Sequence, residues 1–447
     1  MRIRPLLLLF ALPLLAGCKG DLFVPDFNNP TLDCTSGLCE LPADPSRSQL
    51  AAAATGILIA SRLDYGDYIR DVGILGREAY DLDGSDPRFV SEMLQAVFDP
   101  GSRAFGGDHW LEQYEAIRTG YILLNALDAA TSITDAEKEA LRGFAQTFEA
   151  WNLLLVINTH DTNGAVIDLN QPVGFLAPIE SKDVVFQRIS DLLDEAQGHL
   201  QAGGSAFPFD LTSGFAGFDT PTTFLTFNRA LKARVEVYRG NFASALSALG
   251  QSFIVDCGSF NTGPAFTHST SAGDIVNGIF EDPATADIRA HPSLPDLAQL
   301  QANGSPDLRA QSKLFRTDPK TLQDHTSDLT FLVYSGPGSP IPIIRNEELI
   351  LLRAEANIGL GNVGAAATDI NCIRTQVGGL AARADLSAAN ALDELLYNKL
   401  FSLLFEGGHR WVDMRRYGKL GELPIDIPGL DVVHDVYPIP RDEVLPR

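Results

Sequence analysis

The residues best suited to bind a ligand lie in one polar loop and one short aromatic stretch. The loop Arg77–Phe89 gathers a guanidinium group, carboxylates and aromatic rings within thirteen positions, and Phe105–Trp110 adds two more rings. Sugar sites combine flat aromatic faces with polar groups that bind hydroxyls. We therefore predict a ligand site made of these residues: Arg77, Glu78, Tyr80, Asp81, Asp83 and Trp110. For Trp110, a place in the core is an equally good interpretation.

Patterns for catalysis or cofactors are weaker. Gly359–Gly364 fits G-x-G-x-x-G, but it follows a helical run, whereas a dinucleotide site needs a strand there. The carboxylates of Asp81–Asp86 could bind calcium, although the glycine is misplaced for an EF-hand, and an exposed polar loop is the alternative. With 57 acidic residues, any glycosidase-like carboxylate pair is uninformative. We predict a non-enzymatic protein without metal or cofactor.

The chain begins with a bacterial lipoprotein signal. Arginines precede the apolar run Leu6–Leu15, and Leu-Ala-Gly comes directly before Cys18. A membrane-spanning helix needs ~20 apolar residues, so this run is too short. An ordinary secretory signal is the weaker interpretation. The predicted parts are a signal peptide at 1–17, a tether at 18–45 that is lipid-anchored through Cys18, and a body at 46–447.

The net charge excludes some classes of ligand, and the cysteines predict disulfide bonds. A formal net charge of −23 argues against nucleic acid and anionic lipid headgroups. Four cysteines remain beside Cys18, and they allow three disulfide pairings. We expect Cys34–Cys39 as a local bridge and Cys257–Cys372 as a long-range one. Zinc is the alternative, but C-x₄-C without a nearby histidine is a poor half-site.

Helical periodicity dominates the body and predicts a mostly helical, all-α fold. The single predicted helices are Ser46–Arg62, Asp108–Ala129, Thr134–Ile157 and Ser181–Leu200. Two helix pairs joined by Gly-Asn turns follow: Thr223–Arg239 with Phe242–Leu249, and Glu347–Leu360 with Val363–Val377. These pairs are typical of tetratricopeptide-like hairpins, with unrelated antiparallel helices as the alternative. The long irregular, loop-rich region at 255–340 indicates a ligand-side or partner-side insert.

The C-terminal third carries three spaced motifs. The first is Arg345-x-x-Glu348-x-x-Leu351-x-x-Ala354-Glu355-Ala356, followed by Gly361-Asn362 and Asn371-x-x-Arg374. The second is the block Phe405–Gly418, and the third is Tyr437-Pro438-Ile439-Pro440 with Glu443. Together with Gly76–Tyr80 and the lipoprotein signal, they resemble the SusD/RagB family. The departures are an extra glycine within 406–409 and the replacements Asn398, Lys399 and Ser402, so we identify a divergent member.

The resemblance implies a SusD-like fold and a role in nutrient uptake. A family member is anchored in the outer membrane by lipid and faces the cell exterior. It captures a nutrient, here an oligosaccharide, and delivers it to a SusC-like TonB-dependent outer-membrane transporter. A tetratricopeptide-type envelope scaffold is the alternative. The charges of Glu406–Arg416 are expected to hold the fold as buried pairs, because an unpaired buried charge is costly.

Overall fold

Helices make up most of the chain in the computed structural model, which describes residues 41–101, 105, 107–171 and 175–444. The predicted signal peptide, Cys18 and the Cys34–Cys39 pair lie outside these residues. The helices of the first half are α1 (Arg47–Leu63), α2 (Tyr65–Leu75), α3 (Arg88–Val90), α4 (Asp108–Leu127), α5 (Asp135–His160), α6 (Lys182–Ala202), α7 (Pro221–Tyr238) and α8 (Phe242–Leu249). Those of the second half are α9 (Leu294–Leu297), α10 (Leu308–Lys313), α11 (Asn346–Gly359), α12 (Val363–Gln376), α13 (Ala391–Ser402), α14 (His409–Arg416) and α15 (Arg441–Val444).

The strands are short and form four antiparallel pairs in the described chain. They are β1 (Ala79–Asp81), β2 (Ala165–Val166), β3 (Ile179–Glu180), β4 (Ala265–Phe266), β5 (Ile288–Ala290), β6 (Leu314–Leu322), β7 (His325–Phe331) and β8 (Ile341–Pro342). The pairs are β1 with β5, β2 with β3, β4 with β8, and β6 with β7. The predicted mostly helical fold is therefore confirmed.

Two of the predicted helices begin with a capping box, in which side chains bond the first backbone amides. The Ser46 hydroxyl accepts a hydrogen bond from the Gln49 amide at 3.3 Å, and the Gln49 side chain accepts one from the Ser46 amide at 2.9 Å. Thr134 and Glu137 make the same reciprocal pair at the start of α5. Such capping boxes satisfy amides that a helix start leaves without partners. The predicted start of α5 is confirmed.

The helices pack in chain order as a stack of hairpins. α4 lies between α1 and α5, α6 between α5 and α7, and α8 between α7 and α11. Gly240 and Gly361 have φ near +76° and end α7 and α11, because a glycine adopts this left-handed conformation at no steric cost. In each turn the following asparagine amide donates to the carbonyl five residues earlier, at 2.8 Å. Both predicted Gly-Asn hairpins are confirmed.

The two Gly-Asn hairpins also fit into each other. A Cβ atom added at Gly359, the last residue of α11, would lie 2.1 Å from the ring of Phe242, the first residue of α8. The ring therefore occupies the volume that any side chain at position 359 would need.

The insert at 255–340 contains more regular structure than its sequence indicates. β6 and β7 form a hairpin whose turn residues, Gln323 and Asp324, have φ values of +48° and +66°. Two positive φ values in a two-residue turn match the right-handed twist of a hairpin. Most of β6 is exposed or half-buried, so its sequence lacks the alternation that reveals a strand. The expectation of irregular chain is wrong for these strands.

A tight aromatic cluster lies between α5 and α7. Its rings contact one another at centroid distances of 4.9 to 6.5 Å, and most pairs are tilted or edge-on. The members are Phe144, Phe148, Phe207, Phe209, Phe215, Phe224, Phe227 and Phe266.

None of the described helices is both long enough and apolar enough to cross a membrane.

Candidate ligand-binding site

The predicted ligand residues lie mostly in the protein interior. Arg77, Glu78, Tyr80, Asp81 and Trp110 are each at most 5% exposed. In the described chain only Asp83 among the six is half-exposed. Its carboxylate accepts hydrogen bonds from the amide and the hydroxyl of Ser85, both at 2.7 Å.

Arg77 binds backbone rather than solvent. Its φ of +56° turns the chain at the end of α2. The guanidinium then donates to the carbonyl oxygens of Pro424 and Val432, at 3.2 and 2.6 Å. A third bond reaches the carbonyl of Ile74 at 3.3 Å. Arg77 therefore joins the end of α2 to the C-terminal segment.

Tyr80 reaches the same C-terminal segment through a carboxylate. Its hydroxyl donates to Asp426 Oδ2 at 2.5 Å, and the Nε2 atom of His291 lies 2.9 Å from the same oxygen. Burial alone would raise the pKa of Asp426, but His291, Tyr80 and Arg77 outweigh it and hold the pKa at about 2. This carboxylate is therefore charged, and its Oδ2 atom is bound within the fold.

The remaining predicted residues serve packing and local structure. The Asp81 carboxylate accepts from the amide of Asp83 at 3.1 Å, and burial raises the pKa of Asp81 to about 6. Trp110 packs its ring at about 5 Å from those of Tyr114 and His160, as a core residue does. Both carboxylate oxygens of Glu78 are buried and have no hydrogen-bond partner among the described residues. The structure thus does not support the predicted loop as an open ligand site, because all of the six side chains except Asp83 lie in the interior.

The predicted calcium alternative also gains no support. In the described residues, no group of three or more histidine, cysteine, aspartate or glutamate side chains is placed to hold a metal ion.

The motif block at 405–418 forms part of a buried charge network. Lys399 lies 2.9 Å from Glu355 and 2.6 Å from Asp413, and Arg416 bonds the same two carboxylates at 2.7 and 2.6 Å. Burial would raise the pKa of Glu355, but Lys399 and Arg416 outweigh it and hold the pKa at about 2. This arrangement fits the predicted fold-holding role, since each of these four charges has an opposite partner. Lys399, a departure from the family pattern, supplies the central cation.

An open cleft of about 970 Å³ lies elsewhere, where the insert meets the start of α11. Its lining comes from α10, the strands β4 and β8, the chain between β7 and α11, and the ends of α12 and α13. The lining residues are Ser213, Gly214, Asn261, Gly263, Ala265, Thr267, His268, Leu308, Arg309, Ser312, Lys313, Leu332, Val333, Tyr334, Gly338, Pro340, Pro342, Arg345, Glu347, Val377, Ser402 and Glu406. Cavities for small ligands measure roughly 300–1,000 Å³ and combine apolar walls with a few polar groups. The cleft fits this description.

Four charged side chains of the cleft bind one another. The Arg345 guanidinium bonds Glu406 at 2.7 Å and also contacts Glu347. Lys313 bonds Glu406 at 2.7 Å and the carbonyl of Ser402 at 2.6 Å. Burial would raise the pKa of Glu406, but Arg345 and Lys313 hold it at about 2. The cleft thus contains fixed, mutually neutralised charges.

The walls of the cleft are partly apolar and open. Leu308 and Leu332 are 45% and 41% exposed, an unusual exposure for leucines that face a concavity. Tyr334 is buried, and its hydroxyl donates to the carbonyl of Phe405 at 3.2 Å. Hydroxyl groups of Ser213 and Ser312 also line the space.

A disulfide fixes one wall of the cleft. Cys257 and Cys372 are bonded, with their Cα atoms 5.6 Å apart, which is the expected pairing. The bonded loop continues to Asn261 and Gly263, which line the cleft. The Asn346 side chain clamps the same loop through its backbone at 255 and 258, with bonds of 2.7 to 2.9 Å. The disulfide therefore joins this wall to α12.

Sequence reasoning missed the cleft because its lining comes from many short segments. The one available signal was the region 255–340, whose loss of helical periodicity indicated a ligand-side or partner-side insert.

Comparison with known proteins supports the fold over about 90% of the chain. The model of the SusD family matches residues 323–431. A SusD superfamily protein from Bacteroides vulgatus covers 89% of this chain and 96% of its own, with 15% identity and a TM-score of 0.68. A laminarin-binding SusD-like protein covers 90% and 98%, with 16% identity and a TM-score of 0.65. NanU of B. fragilis covers 89% and 94%, with 14% identity and a TM-score of 0.63. No curated protein matches the sequence.

Proposed function

We propose that this chain is a member of the SusD family, whose model matches residues 323–431, and that it is a nutrient-binding lipoprotein of the outer membrane. It captures an oligosaccharide at the cell surface and delivers it, chemically unchanged, to a SusC-like TonB-dependent transporter. Cys18 carries the lipid anchor, and the cleft beside α10 holds the ligand.

The observation that carries the proposal is the cleft itself. It combines a volume of about 970 Å³ with exposed leucines and with hydroxyl groups that can exchange hydrogen bonds with a sugar. A scaffold that acts only through its hairpins needs no such cavity. One protein of similar fold is described as laminarin-binding, which makes laminarin a suitable first probe.

Calorimetric titration of the purified mature protein tests ligand capture. The titrants are neutral oligosaccharides, including oligomers prepared from laminarin, and we expect at least one of them to bind. Failure of every neutral oligosaccharide to bind would contradict the proposed ligand class.

A glycine variant locates the site. A Cβ atom at Gly338 would meet only the His268 carbonyl, at 3.6 Å, and Gly338 lines the cleft, so we expect a ring attached there to occupy part of it. We expect Gly338→Phe to weaken binding roughly tenfold or more, which is about 1.4 kcal/mol. The control is Gly198→Phe, because a Cβ atom at this exposed position of α6 meets nothing within 4 Å. Equal affinities of the two variants would exclude the cleft as the site.

The anchor and the partner have their own test. Cys18→Ala should move the protein from the membrane pellet to the soluble fraction, because acyl chains supply the membrane affinity. A tagged wild-type protein should co-purify a TonB-dependent transporter from detergent-solubilised outer membranes. Retention of the variant in the pellet, or absence of the transporter, would contradict the respective part of the proposal.

A further inference from the structure

We propose that the ligand site continues from the cleft into a second cavity, and that the ligand is an uncharged oligomer long enough to occupy both. This inference rests on the proposed function, because it takes the cleft as the place where the ligand begins. Beyond the proposed function, it specifies how far the site extends, that His268 lies in its middle, and that the ligand is uncharged.

The second cavity has a volume of about 420 Å³ and shares the lining residue His268 with the cleft. Its lining residues are Arg62, Leu63, Gly66, Asp67, His268, Asp274, Ile275, Val276 and Gly278. His268 lines both cavities, and its neighbour Thr267 lines the cleft. The carbonyl of Thr267 accepts a hydrogen bond from Arg62 of the second cavity, at 2.5 Å. One extended segment of chain is therefore the partition between them.

Three buried nitrogen atoms at this partition lack hydrogen-bond partners among the described residues. His268 is 9% exposed, and neither of its ring nitrogens has a hydrogen-bond partner among the described residues. The Nε atom of Arg62 is also buried and without a partner there. Burial and the nearby Arg62 lower the pKa of His268, so its imidazole is neutral and offers one donor and one acceptor. Leaving such groups unbonded costs free energy, which a ligand hydroxyl between the cavities would recover.

The charges of the two cavities indicate an uncharged ligand. The lining contains four cationic side chains and four carboxylates, so its formal charges cancel. The cations already have acidic partners: Arg62 with Asp274, Arg309 with Asp307, and Lys313 and Arg345 with Glu406. No cation is left over for an acidic sugar, and the net charge of −23 repels anions at a distance. Hydroxyl groups, rather than ionic groups, are the chemistry this site can recognise.

Two glycines allow each cavity to be filled separately. A Cβ atom at Gly278 meets nothing within 4 Å, and its φ lies outside the left-handed region, so we expect the ring of Gly278→Phe to occupy part of the second cavity that Gly278 lines. Gly338→Phe does the same in the cleft, and Gly198→Phe is the control. The probes are neutral oligomers prepared from laminarin, from the disaccharide upward, with oligogalacturonates as acidic probes. Thermal unfolding of each variant confirms that it is folded.

We expect Gly338→Phe to weaken the binding of short and long oligomers alike. Gly278→Phe should weaken only the long oligomers, roughly tenfold, because only they reach past His268. His268→Ala should likewise affect long oligomers more than short ones. Wild-type affinity should rise with oligomer length until both cavities are filled.

Different experimental results would contradict the proposed function and this inference. Wild-type affinity of Gly278→Phe for long oligomers would overturn the extended site and leave the cleft as the ligand site. Oligogalacturonates that bind as tightly as neutral oligomers would overturn the charge class. If Gly338→Phe has no effect on any oligomer, or no neutral oligomer binds, both the proposed function and this inference are wrong.

Discussion

The Arg77–Asp83 segment and the cleft beside α10 are both rich in polar side chains, but only the cleft is open. In the segment, Arg77 and Tyr80 find their partners on the chain at 424–432, more than 340 positions away. In the cleft, charges pair with one another and leave about 970 Å³ unfilled. Polar composition therefore does not distinguish a ligand site from a framework. The distinction depends on whether the fold itself supplies the partners.

Removal of Arg77 should have the largest effect on the framework side of this comparison. Arg77→Ala leaves the carbonyls of Pro424 and Val432 without their donor in the interior, so we expect a loss of about 3–5 kcal/mol in the free energy of unfolding. Chemical denaturation measures it. Arg88→Ala is the matched control, because its exposed pair with Asp86 should contribute about 1 kcal/mol or less. Equal losses in the two variants would mean that Arg77 is not part of the framework.

Removal of the disulfide tests the cleft side. Cys257→Ser with Cys372→Ser opens a bridge between residues 115 positions apart, and we expect a loss of about 2–4 kcal/mol in stability. The loop that carries Asn261 should also become less ordered, so ligand affinity should fall in protein that is still folded. Denaturation and titration under non-reducing conditions measure the two effects. Unchanged affinity in the folded double variant would show that the bridge stabilises the fold without shaping the cleft.

Among these predictions, the one for Glu78 has the smallest expected effect on stability, and this effect depends on pH. Burial raises the pKa of Glu78 to about 8, although Arg410 and Lys313 lower it in part. The unfolded chain releases this proton near the usual pKa, and the folded protein keeps it until pH 8. The contribution of Glu78 to the free energy of unfolding is therefore fully present below the pKa of this group in the unfolded chain. It is lost as the pH rises through the pKa of the group in the folded protein. The wild type should lose about 1 kcal/mol from this group between pH 7 and 8.

Glu78→Gln should be less dependent on pH over that interval, because the amide has no proton to release. Thermal unfolding at pH 7 and 8 compares it with the wild type. Asp83→Asn is a suitable control, because this carboxylate is half-exposed and its pKa is lowered by hydrogen bonds from Ser85. If the wild type and Glu78→Gln lose stability equally over this interval, Glu78 is already ionised in the folded protein.

Much of the helical frame could be predicted from sequence, because its signals are local. Ser46 and Thr134 cap the helices that follow them, and Gly240 and Gly361 end theirs. Helix α2 was missed, since nine of its eleven residues are buried and no polar face reveals its period. The pair of β1 with β5 was missed for another reason. β1 pairs with β5 across some two hundred residues, and no local pattern encodes such a partner.

The candidate site could not be predicted in the same way. The residue types chosen at Arg77, Tyr80 and Asp81 suit a sugar, but their burial follows from the return of the C-terminal segment over β1. In the cleft the reverse holds, because residues that look buried in the sequence are exposed in the structure. Leu308 and Leu332 look like ordinary core residues in the sequence, and only the assembled fold leaves them exposed beside a concavity.

The fit between Phe242 and Gly359 has a consequence for how this protein can change over generations. Repeats in helical arrays are usually interchangeable units that a gene can duplicate, delete or recombine. Here the ring of one hairpin fills the space at the glycine of another, so neither can be exchanged without its counterpart. A larger residue at position 359 would therefore require a smaller one at 242, so we expect the two positions to change only together.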